Sequence, residues 1–85
     1  MTKSGEYKKV VVETFIGPPG GLNGIHVRPI PNQPFPTTLL VECSRKLITD
    51  YPLGTRFRIR AKLTDVNGAP FLYSYYGWRF EVLER

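Results

Sequence analysis

Arg56, Arg58, Arg60 and Lys62 stand at alternating positions and are the residues of this chain best suited to chemistry. Alternation along an extended strand turns all four to one face, with neighbours about 6.6–7 Å apart. A row of that kind can follow a polyanionic backbone one cation after another. Arg79 adds a fifth cation downstream, and Phe71, Tyr73 and Tyr75 alternate along the segment between. Exposed rings among cations suit single strands, because the cations track the backbone while the rings stack on bases. The candidate nucleic-acid-binding residues are therefore Arg56, Arg58, Arg60, Lys62, Tyr73, Tyr75 and Arg79. The competing reading is structural: tyrosines often cover arginine stems by cation–π contact and side-chain packing.

Other chemistry is sparse. The chain holds one cysteine, Cys43, and one histidine, His26, so neither an internal disulfide nor a Cys-rich zinc site is expected. The seven Asp and Glu residues form no cluster, and no nucleophile–base pair stands out. His26 reads as a surface or hydrogen-bonded histidine, and Cys43 as a small buried hydrophobe. The stretch GPPGGLNG at 17–24 looks superficially like a phosphate-cradling loop but lacks the Gly-Lys-Ser/Thr ending. It reads instead as a hairpin loop able to close over a ligand. No cofactor and no metal are expected, and the chain reads as a non-enzyme.

Charge placement supports the same site. The formal net charge is +5, and nearly all of the excess lies between Arg56 and Lys62. The longest wholly apolar runs, Val10-Val11-Val12 and Leu39-Leu40-Val41, fall far short of the ~20 residues of a membrane span. The amino terminus, MTKSGEYKK, has no apolar stretch of the secretory kind. With a lone cysteine, these features suggest a cytoplasmic setting and no membrane.

The elements that must position these side chains follow from local rules. Residues 6–16 are rich in β-branched and aromatic types and predict a strand. Val10, Val12, Thr14 and Ile16 share one of its faces, with Lys9, Val11, Glu13 and Phe15 on the other. Residues 25–30 predict a short second strand that Pro29 must end or confine to an edge. Between 39 and 51, Leu40, Val41, Ser44, Leu47, Ile48 and Tyr51 fall on a single helical stripe, stopped by Pro52 and Gly54. Residues 56–63 alternate strictly, with Phe57, Ile59, Ala61 and Leu63 opposite the cations. Asn67 and Gly68 then signal a two-residue hairpin turn.

Counting outward from that turn pairs Val66 with Ala69, Leu63 with Leu72, Ala61 with Ser74, Ile59 with Tyr76 and Phe57 with Trp78. On the other face Lys62 meets Tyr73, Arg60 meets Tyr75, Arg58 meets Gly77 and Arg56 meets Arg79. The last is a like-charge pair that an anion between the two would relieve. A bulge at Gly77 would slip this distal register and could break the last strand in two.

These readings give one α+β domain over residues 1–85, a small twisted antiparallel sheet or partly open barrel in the order β-β-α-β-β with one helix. Residues 1–5 are expected to be disordered, with Pro/Gly-rich loops at 17–24 and 31–37. An all-β small barrel of the OB or SH3-like sort follows instead if 39–43 is a strand. The expected function is a non-enzymatic binding module for single-stranded or flexible nucleic acid. The alternative is a protein-interaction or homo-oligomerising subunit that uses the aromatic hairpin and an exposed edge of the first strand.

Overall fold

The computed structural model of the chain describes residues 7–20, 22–66 and 68–84. These form strands β1 (Lys8–Ile16), β2 (Ile25–Pro29), β3 (Val41–Glu42), β4 (Arg56–Val66), β5 (Ala69–Tyr73) and β6 (Glu81–Glu84), with one short helix, α1 (Lys46–Thr49). The protein is mostly sheet. The sheet is mixed and does not close into a barrel.

Eleven-residue β4 is its spine. Arg56 to Ala61 pair with β1, Arg56 to Arg58 also pair with β6, and Lys62 to Val66 pair with β5. Its alternation turns Phe57, Ile59 and Ala61 inward, and this is the stretch of the strand that the core buries. Phe57, Ile59 and Ala61 are buried with Val10 and Val12 of β1, Val27 of β2, Leu72 of β5, and Leu39 and Leu47. Tyr51 and Phe80 pack edge-on against the Phe57 ring, at centroid distances of 5.2 and 5.5 Å. Thr14 is buried too, and its hydroxyl accepts the Gly54 N–H at 2.9 Å. Ile16, on the same face, lies past the end of the core and is exposed.

Residues 25–29 behave as Pro29 requires. β2 ends there and occupies the edge of the sheet, with Pro29 opposite Val12. β1 is not an edge strand, because β2 and β4 flank it. Where β2 falls short, Gln33 takes over: its amide accepts the Val11 N–H and donates to the Val11 carbonyl, both at 2.8 Å. An exposed edge of the first strand is thus unavailable along this stretch as an interface.

The three-turn helix expected over 39–51 is replaced by β3, a bend and four-residue α1. The reason lies thirty residues away. The Leu40 and Glu42 carbonyls accept the N–H groups of Leu72 and Ser74, at 3.0 and 2.8 Å, so helix hydrogen bonds are forgone for a parallel ladder with β5. Helix begins only after Ser44, whose hydroxyl accepts the Lys46 N–H, and it stops before Pro52 as expected.

The hairpin register holds near the turn, where Val66 faces Ala69, Asp65 faces Pro70, Leu63 faces Leu72 and Lys62 faces Tyr73. Asn67 lies outside the described residues, as do residues 1–5; Gly68 has φ +76°. A Gly68→Val variant must force a β-branched side chain into that left-handed conformation. It should lose about 1–2 kcal/mol in chemical denaturation.

Beyond Tyr73 the expected register fails. Phe57 faces Val82 and not Trp78, Arg58 faces Glu81 and not Gly77, and Arg56 faces Glu84 and not Arg79. The extra residues form an irregular segment, 74–80, between β5 and β6. Gly77 leaves room for a neighbouring ring. The Tyr75 ring folds back over it, and a Cβ at position 77 would lie 2.5 Å from Tyr75 Cε2. The Trp78 N–H donates to the Tyr75 carbonyl at 3.1 Å and closes the turn. Val82 and Phe80 therefore pack against the core where the shorter count placed Trp78 and Tyr76.

No helix among the described residues is long and apolar enough to cross a membrane.

Candidate nucleic-acid interface

The outward face of β1 and β4 carries the charge. Register places Glu13 opposite Arg56, Val11 opposite Arg58 and Lys9 opposite Arg60. These rows differ sharply in how they are compensated.

At one end every cation has an acid. Glu13 accepts from Arg28 of β2 at 3.0 Å and lies 3.8 Å from Arg56, while Arg58 donates to Glu81 of β6 at 3.0 Å. The Arg28 guanidinium also lies 4.1 Å from the centre of the Phe15 ring. Arg56 and Arg58 thus belong to an ion-paired half of the face. The Arg56–Arg79 pair expected from sequence does not form.

At the other end the cations lack a direct ion pair, although Glu81, held by Arg58, lines a hollow with Lys9, Arg60 and Arg79. Lys9 and Arg60 face each other directly across β1 and β4, a like-charge pair that costs stability. Arg79, carried back by the 74–80 segment, lines a surface hollow of about 250 Å³ with Arg60 and Trp78. Lys62 completes the group. Among the described residues, none of Lys9, Arg60, Lys62 and Arg79 has a carboxylate within salt-bridge distance.

Aromatic rings border this half. Tyr7 lies beneath the Lys62 ammonium, 5.1 Å from ring centre to Nζ, and its ring meets Trp78 edge-on at 4.6 Å. Trp78 in turn meets Tyr75 at 5.8 Å, and Tyr75 meets Tyr76 at 4.9 Å. Trp78 is 37 % exposed, Tyr75 43 % and Tyr76 71 %. Tyr73, opposite Lys62, is half-buried. Among the described residues no cation lies over the Tyr73 or Tyr75 ring.

The structure therefore brings together Arg60, Lys62, Arg79, Tyr73 and Tyr75 of the expected set, and leaves Arg56 and Arg58 in ion pairs. It adds Lys9, Tyr7, Tyr76 and Trp78. Lys9 could have been found by pairing the first strand against 56–63 on matching apolar faces. Trp78 was hidden by the register error, although Gly77 marked the place.

Two other candidates resolve plainly. His26 Nε2 donates to the Pro18 carbonyl at 2.8 Å, which makes it a hydrogen-bonded histidine. Cys43 follows β3, not a helix, and packs against the core. Burial, with a smaller contribution from the neighbouring Glu42, pushes its thiol up to about 12 and leaves it protonated at neutral pH. Among the described residues no three His, Cys, Asp or Glu side chains gather as a metal site.

No family model, curated protein or solved structure matches the chain.

Proposed function

We propose that the chain is a non-enzymatic binding module for single-stranded or flexible nucleic acid. The observation that carries this reading is the unpaired cation group, Lys9 opposite Arg60 with Arg79 alongside, on a face that pairs its other arginines with acids. A fold that tolerates directly opposed like charges gains from an anion placed between them. Phosphate supplies that anion, and the neighbouring rings of Trp78 and Tyr75 offer stacking surfaces for bases. The protonated, core-packed Cys43 suits a reducing, cytoplasmic setting.

Mutation should split the two contributions. Arg60→Ala and Arg79→Ala should each weaken binding of a labelled single-stranded oligonucleotide. Each should also flatten the plot of log affinity against log salt by ~0.7. Arg58→Ala, whose guanidinium is engaged by Glu81, should change the slope less than either. Equal slopes for all three variants and the wild-type chain would remove the electrostatic basis of the proposal.

A further inference from the structure

We infer that a cleft beneath the 74–80 segment takes one unstacked base of the bound strand together with a flanking phosphate, an inference that rests on the nucleic-acid reading above. The cleft measures about 650 Å³ and lies between this segment and the start of α1. That volume is within the range of small-molecule sites, about 300–1,000 Å³.

Its walls suit a base and its chain. Tyr76, Trp78 and Tyr51 contribute rings, and Lys46 and Arg79 contribute cations. Among the described residues no Asp or Glu lines it. Lys46 has no carboxylate within salt-bridge distance among the described residues. A purely apolar ligand would leave these cations unused, whereas a nucleotide engages ring and cation together.

Continuity with the charged face decides the occupant. Trp78 and Arg79 line this cleft and also the hollow they share with Arg60. A strand whose phosphates follow Lys9, Arg60 and Arg79 can therefore cross Trp78 and turn its next base inward. Only a strand free to unstack its bases can do this, so the cleft selects single strands over duplex.

The test uses the whole chain and a fluorescein-labelled ten-nucleotide oligothymidylate, read by anisotropy over a salt series. Lys46 and Tyr76 are both exposed, so the variants should keep the wild-type circular dichroism spectrum. Tyr76→Ala should weaken binding by about 5- to 150-fold with the salt slope unchanged, as loss of one stacked base requires. Tyr76→Phe should restore it. Lys46→Ala should lower the slope by ~0.7, the loss of one phosphate contact. If both cleft variants bind as wild type while Arg60→Ala weakens binding, the cleft is empty and the nucleic-acid reading stands. If the wild-type chain itself does not bind the oligonucleotide, both readings fall.

Discussion

Phe57→Ala should cost about 3–5 kcal/mol, a large share of the stability of so small a domain. A chain of 85 residues holds only about 4–13 kcal/mol in total. Phe57 is fully buried on the spine strand and touches two further rings, Tyr51 and Phe80. Its removal opens a cavity where β1, β4 and β6 meet, and the small core has little else to collapse into it. A urea titration followed by circular dichroism checks this. A midpoint close to wild type would mean that the core lies elsewhere.

Trp78→Ala should behave in the opposite way, although sequence pairing placed Trp78 against Phe57. Its ring is over a third exposed and meets only Tyr7 and Tyr75 edge-on among the aromatic contacts described. Such ring pairs are worth about 0.5–1.5 kcal/mol each, so the domain should remain folded. Binding of a single-stranded oligonucleotide should fall by about 5- to 150-fold if a base stacks on this ring, with little change in salt slope. An unfolded variant would return Trp78 to the core. A folded variant with wild-type affinity would remove it from the interface.

Much of this architecture is legible locally. Alternation in 56–63, the β-branched run in 8–16, the stop at Pro29 and the hairpin from Lys62 to Tyr73 each follow from side-chain periodicity or turn chemistry. The errors share one cause, which is pairing decided at long range. Residues 39–51 carry a helical stripe, but the Leu40 and Glu42 carbonyls are claimed by Leu72 and Ser74. The outer end of the hairpin is displaced by four residues, the step from Trp78 to Val82 opposite Phe57. Opposite Phe57 and Arg58 that even displacement keeps the inward and outward alternation in step, so alternation could not reveal it there.

The candidate site divides along the same line. Arg60, Lys62 and Arg79 could be named from charge and alternation. The acids that occupy Arg56 and Arg58, and the partners Lys9 and Tyr7 that complete the open half, come from β1, the residue just before it, and β6. Their positions depend on which strands become neighbours, which no local rule gives. The consequence is a smaller site than the sequence suggests, with its cations concentrated at one end of the sheet.

The most direct test is the affinity of the wild-type chain for a single-stranded oligonucleotide, measured across a salt series beside a duplex of equal length. If Lys9, Arg60, Lys62 and Arg79 each meet a phosphate, log affinity should fall with log salt at a slope of about −2 to −3. The single strand should bind more tightly than the duplex at every salt concentration, because only its bases can reach the exposed rings. Affinity no better than millimolar at low salt would contradict the account, as would a slope near zero. A salt-insensitive dimer dissociated by Trp78→Ala or Tyr75→Ala would assign the aromatic patch to a protein interface instead.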